Sequence, residues 1–148
     1  MHWTRRGGAL PALLALFTLS ALVACAPSST DLLRPEGTPG LNAQGRQPGL
    51  ADIEYAVKTA TASKQGWTIT KEEPGAVYAT ARGGGHEASV RIDYDAAGWK
   101  IEYVSSSSGL KYDPSYRGRE VIHRRYNYWV QQLNGAINDT LRARMATR

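Results

Sequence analysis

The chain has 148 residues, of which 42% are hydrophobic, with 18 Lys and Arg against 13 Asp and Glu, three His and a single Cys. That length supports one small domain and excludes two. One Cys excludes an internal disulfide and a Cys-built metal centre, and a net charge of +5 is too mild to argue for nucleic acid.

Arg5 and Arg6 precede an uncharged apolar run over 9–24 that closes on Leu22-Val23-Ala24-Cys25. A positive start, a hydrophobic middle and small residues at the end form the pattern of a secretory signal peptide. The alternative is a transmembrane helix, but a span needs about 20 apolar residues. Pro11 and the small-residue end also fit a signal better. Leu22-Val23-Ala24-Cys25 resembles the bacterial lipobox. The resemblance implies a diacylglyceryl group on the Cys25 thiol, cleavage before Cys25 and acylation of the new amino terminus. The membrane is then a partner through that lipid. One acyl chain holds only marginally, at about 0.8 kcal/mol per buried methylene, whereas the three implied here make a permanent anchor. Ala26 stands where an Asp would retain the protein at the inner membrane, so the resemblance implies an outer-membrane, periplasm-facing address. Without residues 1–24 the chain keeps 16 basic residues against 13 acidic ones, a net +3.

Residues 26–49 are punctuated by Pro and Gly and carry no apolar period. They read as a disordered linker, which with Cys25 fills 25–50, and a coil of about 24 residues reaches about 27 Å. On this reading a chain cut to begin at Ala51 melts like one beginning at Ala26. A single globular domain fills 51–148. Ile53, Ala56, Val57 and Ala60 recur at helical spacing and predict a helix over 51–65, stopped by Gly66. Four alternating runs follow, over 67–70, 76–82, 88–94 and 99–103, separated by Gly-containing turns. Period-two alternation with short turns predicts antiparallel hairpins with one buried face. Residues 105–118, with four consecutive Ser, read as a long irregular connection.

Ile122, Tyr126, Trp129, Val130, Leu133, Ala136, Ile137 and Thr140 fall on one stripe and predict a helix from about Arg119 to about Arg142. The expected fold is α+β in two layers, a four-stranded antiparallel meander with both helices on one face. Gly66-Trp67, Tyr94-Asp95 before a Gly-containing turn, and His123-x-x-Tyr126-Asn127-x-Trp129-Val130 resemble a group of small bacterial lipoproteins of unassigned function. The resemblance covers most of 51–140 and implies the same fold and address, and no activity.

A second stripe of this helix, beside the apolar one, carries His123, Asn127, Gln131, Asn134 and Asn138, with Arg124 close to it, and Tyr128 lies off the buried stripe. Amides and an imidazole in a row can read a sugar or a peptide edge; a plain polar solvent face is the alternative. His123, Arg124, Asn127, Tyr128 and Gln131 are therefore the candidate partner-binding residues, and Cys25 the candidate lipidation site. No cofactor, catalytic residue or metal ligand set is assigned. His86 and Glu87 lack further ligands, Gly83-Gly84-Gly85 lacks the Lys-Ser/Thr of a phosphate cradle, and Asp95 reads as a turn starter. Trp67, Trp99, Trp129, Tyr78, Tyr94, Tyr103 and Tyr126 read as core, with an aromatic sugar cleft as the alternative. From Arg117 onward seven Arg face only Glu120 and Asp139. The expected function is a non-enzymatic, outer-membrane-tethered module that binds an envelope protein or component. One alternative is capture of an anionic envelope polymer or lipid headgroup through the Arg-rich end; a small hydrolase is another.

Overall fold

Residues 28–147 are described by a computed structural model. The readings of 1–24 as a signal and of Cys25 as a lipidation site fall outside them. In chain order the elements are β1 (Ser29–Asp31), β2 (Glu36–Gly37), α1 (Leu50–Ser63), β3 (Trp67–Glu73), β4 (Ala76–Gly83), β5 (His86–Asp95), β6 (Gly98–Ser106), a 3-10 turn (Ser108–Leu110), β7 (Asp113–Tyr116), β8 (Arg119–His123) and α2 (Arg124–Ala146). The fold is α+β. It has two antiparallel sheets, one ordered β2-β6-β5-β4-β3 and one ordered β1-β8-β7. The expected meander is β3 to β6, but it is not the whole sheet, since β2 closes its β6 edge.

The alternation explains the buried face. Val77, Ile92 and Ile101 stand in register across β4, β5 and β6, as do Ala79, Val90 and Tyr103. All but Tyr103 of these six are buried. Over them lie Ile53, Ala56, Val57 and Ala60 of α1, and Tyr126, Val130, Leu133, Ile137, Leu141 and Met145 of α2. Polar bonds fix both helices to this face: the Tyr94 hydroxyl donates to Glu54 at 3.3 Å, and Trp99 Nε1 donates to Asn134 Oδ1 at 2.8 Å. On the wet face Arg91 pairs with Asp93 at 2.7 Å. α1 stops at Ser63, with Lys64 extended as its C-cap, before the expected Gly66; at φ +86, a conformation other residues rarely adopt, Gly66 instead turns the chain into β3.

Three expectations are corrected. Residues 28–49 are not a free linker. β1 pairs with β8, Glu36 and Gly37 pair with Lys100 and Trp99, and Leu32 is buried in the core. Arg34 bridges the two sheets, with Nε 2.8 Å from Glu102 and Nη2 2.6 Å from Glu120. Backbone pairing is available to any sequence, so this short polar strand leaves no hydrophobic trace. The second correction is at α2, which begins at Arg124 rather than near Arg119, and runs on to Ala146. Residues 119–123 are strand because β1 and β7 flank them on both sides. The 105–118 connection likewise holds the end of β6, a 3-10 turn and β7, with Leu110 buried and Tyr112 donating to Glu120 at 2.9 Å.

Most of the aromatics are core. Trp67, Tyr94, Trp99 and Tyr126 are buried, while Tyr78, Tyr103 and Trp129 are half-buried. Tyr103 lies 4.2 Å from Tyr112 and meets Tyr126 edge-on at 5.6 Å, measured between ring centres. The Tyr126 hydroxyl has no hydrogen-bond partner among the described residues, and burial raises its pKa above the usual phenol value.

Candidate functional site

The junction of β8 and α2 gathers the unusual side chains. His123 is not on the helical stripe. It is the N-cap, with extended backbone, and its Nδ1 accepts from the Arg125 amide at 3.1 Å. That bond needs an unprotonated Nδ1. Burial lowers the His123 pKa below the usual imidazole value, and His86, Arg125, Arg124 and Lys111 lower it further. The His86 ring stacks on it at 6.2 Å, with an interplanar angle of 22°, and His86 Nδ1 is buried without a hydrogen-bond partner among the described residues. No third His, Cys, Asp or Glu joins this pair as a metal-binding group among the described residues.

The first amide of α2, on Arg124, donates to the Ser28 carbonyl at 2.9 Å. The incoming chain thus satisfies one of the donors that a helix start leaves open. Arg125 reaches the other way, across the β4–β5 turn, to the Gly83 carbonyl at 3.3 Å. The glycines of this turn make room for side chains of α2. A Cβ on Gly84 would collide with the Arg125 guanidinium, and one on Gly83 would touch Trp129 at 3.4 Å. Gly83, Gly84, His123, Arg124, Arg125, Tyr128 and Trp129 line an open cleft of about 630 Å³. The first turn of α2 contains no acid. The positive end of the helix dipole and two guanidinium groups therefore act together, an arrangement suited to an anion.

Of the expected set, His123, Arg124 and Tyr128 meet in this cleft, and Tyr128 is 60% exposed. Gln131 is exposed and does not line it. Asn127 is buried and fully engaged within the fold. Its Oδ1 accepts from Leu33 N at 3.1 Å, and its Nδ2 donates to Asp31 O at 2.7 Å and to Thr30 Oγ1 at 2.8 Å. Asn134 holds Trp99, and Asn138 bonds back to the Asn134 carbonyl at 3.0 Å. Of the amide row, Asn127 and Asn134 therefore face inward, holding strand and indole, while Asn138 bonds within its own helix. Arg125 and Trp129 were absent from the expected set. Their spacing of four, one helical turn, was the available signal.

Among the described residues the Arg-rich end does not form one cluster. Arg142 pairs with Asp139 at 3.4 Å, while Arg144 meets Asp52 at 2.7 Å and lies 4.0 Å over the Tyr55 ring. At 1.5 Å per residue, Arg144 is about 30 Å along the helix from Arg124. Asp95 accepts from the Ala97 and Gly98 amides at 2.7 and 3.2 Å, which makes it a turn residue. No helix among the described residues is long and apolar enough to cross a membrane. No protein-family model matches the chain, and neither curated proteins nor solved structures yield a match.

Proposed function

We propose that the protein is an outer-membrane-tethered, periplasm-facing lipoprotein that acts as a non-enzymatic binding or assembly module for an anionic envelope component. The anchor reading rests on Arg5 and Arg6, the apolar run and Leu22-Val23-Ala24-Cys25. The binding reading rests on one observation: Arg124 and Arg125 stand at the positive end of α2, in an open cleft with Tyr128 and Trp129 and no acid in the turn. This narrows the Arg-rich alternative to the start of α2, because Arg142 and Arg144 near its other end are already engaged.

Cys25→Ala removes the acceptor sulfur. Cells expressing it should incorporate no labelled palmitate into the protein, and the precursor should stay uncut. Equal labelling of variant and wild type would refute the anchor.

A further inference from the structure

A lipid on Cys25 can hold the domain no farther from a bilayer than the free chain allows. Ser28 is already fixed, its carbonyl bonded to the Arg124 amide, and Ser29 pairs with His123. Three peptide steps from Cys25 to Ser28 span at most about 11 Å, at about 3.3–3.6 Å each. A domain of about 120 residues has a radius of gyration of about 13–14 Å. The tether is thus shorter than the body it carries, and the face around Ser28 is held at the headgroup region.

That face collects basic residues in positions that local physics disfavours. Lys111 lies at φ 50 and Arg117 at φ 51, the left-handed region that Gly or Asn ordinarily fills. Arg124 is the first residue of α2, where the helix dipole favours an acid. Lys111 and Arg117 line a cleft with Ser29 and Tyr116, and Arg124 lines the neighbouring one with Tyr128. Arg119 beside them is taken by Asp31 at 3.0 Å. Lys111, Arg117 and Arg124 have no ion-pair partner among the described residues. Tyr116 and Tyr128 are 46% and 60% exposed. Breaks in local rules that gather at one place mark a functional surface rather than a stability device. Basic groups draw a surface to anionic lipid, and tyrosine rings settle at headgroup depth.

We propose that this face lies flat on the phospholipid headgroups of the bilayer that holds the anchor, with Lys111, Arg117 and Arg124 meeting phosphates and Tyr116 and Tyr128 seated between them. The inference rests on the lipidation of Cys25 and names the anionic partner of the α2 cleft. Cys25 is the only cysteine and its sulfur would be lipid-linked, so one introduced thiol takes one nitroxide label. The full lipidated protein, as Tyr128→Cys or Ala143→Cys, is reconstituted in vesicles of phosphatidylglycerol and phosphatidylethanolamine. The mass of the Cys25 peptide is read on the same samples. The label at 128 should be shielded from a water-soluble nickel relaxant and the label at 143 should not. Shielding at 128 should be lost in phosphatidylcholine vesicles and at high salt, where the screening length shrinks. Arg124→Glu should also abolish it, while leaving the melting temperature equal or higher. A lipidated Cys25 with equal exposure at 128 and 143 overturns the docking and leaves the anchor standing. Shielding that survives both high salt and Arg124→Glu overturns the headgroup chemistry. An unmodified Cys25 overturns anchor and docking together.

Discussion

A chain that begins at Ala51 should unfold far below the temperature at which the chain from Ala26 unfolds. The cut removes β1 and β2, and with them the groups that answer the buried polar atoms of α2. Asn127 loses Leu33 N, Thr30 Oγ1 and the Asp31 carbonyl. An unsatisfied buried amide costs about 1–3 kcal/mol. Leu32 leaves the core, and burial of one such side chain is worth about 1.5–3 kcal/mol. The Arg34 bridge between the sheets and the bond from the Ile101 amide to the Pro35 carbonyl are lost as well. In a domain of this size 1 kcal/mol moves the melting temperature by about 4–8 °C. The expected drop is therefore more than about 10 °C, read by circular dichroism. Coincident melts would restore the free-linker reading.

Trp99→Ala should be the most damaging single truncation of an aromatic, and Trp129→Ala a mild one. Trp99 is 4% exposed, its indole N–H is bonded to Asn134, and a Cβ on Gly37 would lie inside its ring. It therefore ties β6 to α2 and seats β2 against the sheet. Truncating such a residue costs about 3–5 kcal/mol, a large part of the roughly 5–15 kcal/mol that holds a small domain. Trp129 shares the periodic stripe but is only half-buried, at the rim of the cleft. Its loss should cost on the order of 1 kcal/mol, the common value for point substitutions. Denaturant midpoints of the two variants give the ranking, and a larger loss for Trp129→Ala would place the core elsewhere.

The elements that bury a patterned face were legible in the sequence. Ile53, Ala56, Val57 and Ala60 announced α1, and the alternation through Val90 and Ile92 announced β5. Elements held by backbone pairing were not. Ser29-Thr30-Asp31 carries no apolar side chain and is a strand only because β8 pairs with it. Ile122 misled for a different reason. It stands four residues before Tyr126, so it extends the helical period by one turn while lying in β8. The same misreading placed His123 on a helix face instead of at its cap. For the cleft, Arg124 and Tyr128 were visible as neighbours of the stripe. The contribution of the Gly83–Gly84 turn was not, because it arrives from a strand about 40 residues away in sequence.

The position of residues 28–33 decides between a domain on a long leash and one held against its membrane. Native-state amide hydrogen exchange measures it directly, because exchange reports the free energy of opening at each bond. The informative amides are Arg124, bonded to Ser28, and Leu33, bonded to Asn127. Both should be protected to the level of the β4–β5 ladder, opening only when the whole domain unfolds. Exchange at both amides as fast as in an unstructured peptide, with the β4–β5 amides still protected, would contradict the account.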